Sequence, residues 1–571
     1  MPSTFRRILL YPRATLLVAL LLLSIPWFYF GVQMQDMGWQ LSKSWLMIEH
    51  PKAAYWDAAW LSNMLPGLWM KLGEYSLLWM RFGYIPVLAL TLLLLHRLLA
   101  PVYRNAEIIP ALILTWLLSS AGANTFVADY YIVPPIFALG SIAAFQAARR
   151  YSGRSRHLLL LLCGVCFALL LQARLPSAPL IILFPLIVLL YHHTRPKGTP
   201  ASGYRWPDMV PIILGIIAGT ALVMIVLEAC GLLDVAIGGM IGSLQQGSSN
   251  SGADNIHHPL RLLADTVIRY AKALAIGGVL LSGIWLFDRV IVGKREKLPF
   301  WLAPAISVAV VVATAYLAVS ELGMFPPSIG LITLVSVLLL WREWRRGWSD
   351  RLFLVAAGII YMVTMNAGSS NPQVGSLKFT ILIIAPVVLI EIFREATGGS
   401  TRGRILGMIL CANVLSLWLS TRMFYGGSIF GFTEQFRVEG LAGVYFQPPV
   451  VNQIETAVSD FRKGGLREGD TALFYVDIPI FHFLTKTIPA LENPWISSYA
   501  VGYPAEGRTL QMIDRMKREG RLPKVVVRGP DDLSMGENRA SKIRALDSIW
   551  QAEDYDTVLT SGIFVMLRPS Q

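Results

Sequence analysis

Cysteine and charge are both scarce in this 571-residue chain: it has four cysteines, and only 15% of its residues are Asp, Glu, Lys or Arg. Cys163, Cys166, Cys230 and Cys411 all lie in or beside apolar stretches, which excludes the disulfide framework of a small secreted fold. Cys163 and Cys166 have the spacing of half a zinc site, but they sit in LLLLLCGVCFALLL with no second pair, so they read as lipid-facing or core residues. Low charge combined with 54% hydrophobic residues and a mean hydropathy of +0.54 excludes a purely soluble protein. Acidic residues are fewer than basic ones, 36 against 49, giving a net charge of +13.

What the chain has in abundance is long apolar runs. Runs near the length that crosses a bilayer lie at 13–30, 82–99, 107–121, 132–148, 158–172, 177–191, 209–228, 268–288, 300–319, 327–341, 352–366, 378–393 and 405–421. They predict about thirteen membrane helices, the first kept as an uncleaved helix because WFYFGVQMQD has no small-residue cleavage pattern. Lys and Arg crowd alternate loops, among them Arg149, Arg150, Arg154 and Arg156, and Arg342, Arg345, Arg346 and Arg351. Basic loops stay in the cytoplasm, so the N-terminus is inside and everything after about 422 is outside. The excess of positive charge is thereby assigned to topology and to contact with anionic membrane lipids, and no nucleic-acid partner is expected.

The expected organisation is a transmembrane region over 1–429 and an extracytoplasmic domain over 430–571. The first outer loop, 31–81, is rich in Trp and Tyr and reads as interfacial helices. The second, 229–267, is rich in Gly and Ser and reads as a flexible loop or lid. In the tail, helix-like PVVNQIETAVSDFRK, apolar TALFYVD and KVVVR, and closing strands in DTVLTSGIFVMLR predict a small α/β domain. The fold class is therefore a polytopic α-helical membrane protein with a C-terminal extracytoplasmic α/β domain.

Ionisable residues at membrane depth are costly and mark candidate sites. Asp36 follows the first span directly in FGVQMQDMGW, and Asp129 lies in the short outer loop SSAGANTFVADYYIVPP. Arg174 interrupts the apolar run LLLQARLPSAPL, Lys378 opens the twelfth span, and Arg269 flanks the second outer loop. A carboxylate can act as general base or metal ligand, and a buried cation can stabilise a developing phosphate charge. Bland roles exist for each: an N-cap for Asp129, snorkelling for Arg174 and Lys378. Glu49, His50 and Asp57 read as a solvated polar face, and His257 and His258 lack a third metal ligand nearby.

Taken in order, five features resemble the C-type glycosyltransferases of the membrane, the superfamily that includes protein O-mannosyltransferases, lipid A aminoarabinose transferase and oligosaccharyltransferase catalytic subunits. They are Asp36 straight after the first helix; NMLPGLWMKLGEYSLLWMRFGYIP, with its Gly-Glu and its Arg before the second span; Asp129 in the next outer loop; SLKFTILIIAPVVLIEI; and the tail's FYVDIPIFHFLTKTIP. The resemblance implies a polyprenyl-phosphate-linked sugar as donor and an extracytoplasmic glycolipid, polysaccharide or protein as acceptor. It implies inverting transfer, with Asp36 as base, Asp129 orienting the acceptor or a metal, and Lys378, Arg174 and Arg269 at the donor phosphate. QDMGW carries one acid where the family's fuller pattern has two, which leaves a divalent cation such as Mg or Mn open. Bacterial inner membrane and periplasm are the implied locations. A transporter or flippase of a lipid-linked saccharide could use the same polar positions, but paired repeats are its usual sign and none is convincing here. A third alternative, an envelope scaffold, would leave both acids replaceable.

Overall fold

The computed structural model describes residues 27–119, 132–195, 203–249, 327–365, 379–398, 429–491, 513–520, 522–529, 555–561 and 563–570, with isolated positions between them. The helices are α1 (Asp36–Glu49), α2 (Leu61–Lys71), α3 (Leu77–Leu99), α4 (Asn105–Ser119), α5 (Pro134–Ala148), α6 (Gly153–Ala173), α7 (Leu183–Thr194), α8 (Met209–Ala229), α9 (Leu233–Ser249), α10 (Pro327–Arg346), α11 (Asp350–Thr364), α12 (Ile384–Thr397), α13 (Pro448–Lys463) and α14 (Ile480–Thr485). Among the described residues, four segments are long and apolar enough to cross a membrane: Leu77–Leu99, Gly153–Ala173, Leu175–Thr194 and Trp206–Ala229. Shorter apolar helices, Asn105–Ser119 and Pro134–Ala148, occupy two more of the expected positions. The runs expected at 300–319 and 405–421 fall wholly or almost wholly outside the described residues.

Local chemistry explains several boundaries. Ser76 caps α3 by accepting from the Trp79 N–H, and Ser349 caps α11 by accepting from the Leu352 N–H at 3.0 Å. The helices α6 and α8 meet at glycines: a Cβ on Gly164 would stand 2.0 Å from the Ile212 carbonyl oxygen, and one on Gly215 2.2 Å from that of Leu161. Small residues permit this backbone approach where water supplies no drive for helix pairing. Within the stretch 229–267, expected to be a flexible loop or lid, Leu233–Ser249 is helical. It is a helix whose Ala236, Val235 and Met240 join an apolar cluster, and whose Gly239 rests on the backbone of Trp56. Residues 250–267, with His257 and His258, lie outside the described residues.

The tail holds a two-stranded sheet, β1 (Glu434–Gln435) with β2 (Tyr445–Phe446), and a five-stranded sheet of β3 (Thr471–Tyr475), β4 (Ile488–Pro489), β5 (Val525–Arg528), β6 (Tyr555–Ser561) and β7 (Phe564–Pro569). The larger sheet has the order β4-β3-β5-β7-β6, parallel through its first three strands and antiparallel after. One face of it is not a separate domain core. Phe461, Phe474, Phe481 and Phe564 belong to the same buried cluster as Met37, Leu41, Trp45, Trp56 and Trp60 of the first outer loop. The tail is thus packed onto that loop, while Trp116, Phe145, Phe184 and Tyr361 anchor a distinct cluster among the apolar helices.

Candidate active site

Arg81 sets the geometry ahead of Asp36. It is buried near the start of α3, where it donates to the carbonyl oxygens of Phe28 at 2.5 Å and Phe30 at 3.2 Å, and to that of Gly31. The guanidinium thereby holds the turn that leads into α1. The same turn is stitched to the tail, with Gly31 N donating to Tyr445 O at 3.0 Å and Tyr445 N to Tyr29 O at 2.6 Å.

Asp36 is the first residue of α1 and is half-buried. Helix N-termini favour carboxylates, yet burial here pushes the Asp36 carboxyl above its ordinary range; a hydrogen bond from the Gln33 side chain opposes the shift, and the Asp477 carboxylate reinforces it. Among the described residues Asp36 has no ion-pair partner. Gln33 is itself buried, and its Oε1 accepts no hydrogen bond from the described residues. A half-buried carboxylate of raised basicity therefore lies beside a buried amide side chain, and such a carboxylate suits the deprotonation of a hydroxyl.

Helix α1 is shared between two neighbours. Ser42 Oγ donates to Pro479 O at 2.7 Å, and a Cβ on Gly38 would be 2.6 Å from Ile480 Cβ, so the tail's α14 lies directly against it. Elsewhere on α1, Lys43 is fully buried and paired with Asp57, with the Trp39 ring 4.6 Å and the Tyr55 ring 5.6 Å from its ammonium. Burial lowers the proton affinity of Lys43, and Asp57 opposes that. Asp57 is thus an ion-pair member within the fold and not part of a solvated face.

The Asp57 segment leads to Arg174. Leu175 N donates to Ala58 O at 2.8 Å, Trp60 Nε1 to Gln172 Oε1 at 3.0 Å, and Ser62 Oγ to Ala173 O at 2.8 Å. These bonds fasten residues 58–62 around the end of α6. Arg174 is 3% exposed and its guanidinium lies 4.9 Å from the Phe379 ring, which corrects snorkelling: the side chain is enclosed by protein. Lys378, Asp129 and Arg269 lie outside the described residues.

Three polar residues near the site escaped the sequence reading: Gln33, Asp477 and Lys486. Asp477 and Val476 both adopt left-handed backbone conformations, φ +59° and +66°. For a β-branched residue that is a true outlier, and such strain costs on the order of 1–3 kcal/mol per residue. Lys486 is buried, its Nζ without a hydrogen-bond partner among the described residues, over the rings of Phe483 at 4.3 Å, Tyr75 at 5.4 Å and Trp45 at 5.6 Å. A lone lysine inside the apolar FHFLTKTIP was the available signal, the same one that marks Arg174.

No cluster of three or more His, Cys, Asp or Glu that could hold a metal ion occurs among the described residues. Asp36, Asp477 and Gln33 Oε1 offer the oxygen chemistry of a hard cation, but fewer ligands than the six or more such ions take, so these groups alone do not make its coordination shell.

No protein-family model matches the chain, and no curated protein matches it. Solved structures are similar in the course of the chain. ArnT from Cupriavidus metallidurans, bound to undecaprenyl phosphate, matches at 12% identity over 97% of both chains with a TM-score of 0.45. The archaeal oligosaccharyltransferase AglB from Archaeoglobus fulgidus, with an inhibitory peptide and a dolichol-phosphate, matches at 13% identity over 98% of this chain and 74% of that one, TM-score 0.48. The Archaeoglobus fulgidus oligosaccharyltransferase in complex with Zn and sulfate matches at 10% identity over 90% and 68%, TM-score 0.47. With identities this low and TM-scores under 0.5, none of the three decides this chain's chemistry.

Proposed function

We propose that this protein is an inverting glycosyltransferase that moves a sugar from a polyprenyl-phosphate donor to a hydroxyl of an extracytoplasmic acceptor. The observation that carries this reading is Asp36: a half-buried carboxyl of raised basicity beside the buried Gln33 side chain, in a chain with several membrane-type helices. The acceptor hydroxyl donates to the Asp36 carboxylate and passes its proton to it as the hydroxyl oxygen attacks the anomeric carbon. The bond from that carbon to the phosphate oxygen breaks, and its electron pair leaves on the polyprenyl phosphate. Arg174 and Lys378, with Arg269 as a further cation, meet the growing negative charge, while Asp129 orients the acceptor. A protein-enclosed guanidinium suits that task because it acts at low local dielectric. The proposed location is the bacterial inner membrane, with the tail in the periplasm, and the acceptor is a glycolipid, polysaccharide or protein of the envelope.

The test is release of free polyprenyl phosphate by purified protein from a panel of polyprenyl-phosphate sugars in the presence of envelope extracts. Undecaprenyl phosphate, the lipid bound in the similar ArnT structure, is the first carrier to try. Sugar-selective release coupled to a glycosylated product supports the transferase. Donor binding without turnover, together with movement of the donor across vesicles, overturns it in favour of a transporter.

A further inference from the structure

The chain entering α1 is held by partners far from it in sequence. The carbonyl oxygens of four successive residues, Phe28, Tyr29, Phe30 and Gly31, all accept hydrogen bonds from other elements. Arg81 of α3 donates to those of Phe28 at 2.5 Å, Phe30 at 3.2 Å and Gly31, and the Tyr445 N–H of the tail donates to that of Tyr29 at 2.6 Å. Gly31 is held at both of its main-chain groups, since its N–H donates to Tyr445 O at 3.0 Å. Phe30 and Tyr445 thereby form a parallel bridge that joins this segment to the tail's two-stranded sheet. Gly31 has φ +81°, a left-handed backbone that glycine adopts without steric cost.

Helix α1 needs such outside support. Its N-cap residue, Gln35, makes no side-chain capping bond, so the helix start is not fixed by the device that Ser76 and Ser349 supply to α3 and α11. Asp36 opens that uncapped helix, and Gln33, whose side chain bonds to it, lies between Asp36 and Gly31 in the chain. The body of α1 is pinned separately, by Gly67 of α2 against Ser44 O and by Ile480 of the tail against Gly38. Arg81 is 3% exposed and forms no ion pair among the described residues. A buried guanidinium is costly to desolvate, and here its planar fork is committed to main-chain oxygens that a single ammonium could not hold together.

We propose that Arg81 and the main chain of Tyr445 together position the catalytic base, so that Asp36 stands in its productive place only while the tail is docked. Arg81 is then a positioning residue for Asp36, acting through the chain at 28–31. The proposal rests on the transferase reading for the role of Asp36, while the clamp rests on its own hydrogen bonds. The tail contributes to turnover without placing a side chain on the substrate. Undocking it would free the Gly31 N–H and the Tyr29 carbonyl at once, which couples the tail to the base through the backbone.

Two variants of the full-length protein test this. Arg81→Lys keeps the charge and the apolar stem but not the fork. Gly31→Ala loads the left-handed backbone while its Cβ meets nothing nearer than the Phe432 ring at 3.8 Å. Glu343→Gln, in the distant ion pairs of α10, is the control for general destabilisation. The readouts are hydrogen exchange over residues 28–39, and kcat set against donor Kd. Exchange there is expected to rise about tenfold or more in both clamp variants and to stay at the wild-type level in Glu343→Gln. Arg81→Lys is expected to lower kcat about 10²-fold and Gly31→Ala about tenfold, with donor Kd within about twofold of wild type. A purely structural role would lower the folded fraction without this split. A kcat within about threefold of wild type in a variant whose 28–39 exchange has risen would overturn the proposal, and so would unchanged exchange in both variants. Faster exchange in both, with no turnover of any donor by the wild type, would retain the clamp and discard the transferase chemistry instead.

Discussion

Two groups of charged side chains, one shared by α4, α10 and α12 and one around Asp36, are arranged in opposite ways. At the arginine-rich end, read from the sequence as cytoplasmic, Glu107, Glu343 and Glu391 of α4, α10 and α12 are all ion-paired. Glu343 meets Arg342 at 2.9 Å and Arg346 at 3.1 Å; Glu391 meets Arg342 at 2.8 Å and Arg351 at 3.5 Å; Glu107 holds Arg394 through both oxygens at 2.7 and 2.9 Å. Around α1, Asp36 has no ion pair among the described residues, the Lys486 ammonium stands over aromatic rings and makes no hydrogen bond there, and Gln33 Oε1 is buried with no partner there. Neutralised charge joins helices to each other. Charge and polar atoms left uncompensated in a packed setting are ready to act on something else.

That contrast can be sharpened by substitutions, beginning with Arg174. If it meets the leaving phosphate, Arg174→Met should lower kcat by about 10²–10³-fold, with Arg174→Lys intermediate and protein yield retained; steady-state release of polyprenyl phosphate reads this out. At the opposite end, Glu343→Gln should leave kcat of the surviving protein unchanged. It should destabilise by about 2 kcal/mol, discounted from the value for fully buried pairs because its arginines are partly exposed, as measured by denaturation in detergent. Gly38→Ala pushes a methyl group into Ile480 and should cost about 1–2 kcal/mol while making the tail more accessible to protease.

The smallest effect is expected at Lys486. Burial lowers its proton affinity, so the unfolded chain binds the proton more tightly than the folded one. Stability should therefore rise with pH between the depressed folded value and the ordinary 10.5, and be lower below that window. Lys486→Met should remove this slope and raise neutral-pH stability by about 1 kcal/mol, the lost ring contacts offsetting part of the gain. A lower melting midpoint in the variant would mean that the aromatic rings satisfy the charge.

Much of the architecture was legible because it is written in short-range patterns. Apolar runs give Gly153–Ala173 and Met209–Ala229, and the amphipathic PVVNQIETAVSDFRK and β-rich TALFYVD give α13 and β3 almost residue for residue. Asp36 and Arg174 were visible as polar residues at the edge of, or within, apolar surroundings. What was not legible depends on distant partners. Asp57 reads as solvated until Lys43 is seen folded back onto it, and Leu233–Ser249 reads as flexible until Trp56 is found beneath Gly239. Asp477 was hidden for both reasons. Its segment has a left-handed backbone and is bonded to α1 through Pro479, more than four hundred residues away, and neither leaves a mark in the local sequence.

The most direct test of the account compares wild type and Asp36→Asn for donor binding and turnover on the same polyprenyl-phosphate sugar. Retained donor affinity with turnover reduced by about 10²–10⁴-fold, the range typical of a lost general base, is the predicted result. Turnover at the wild-type rate in Asp36→Asn would contradict it.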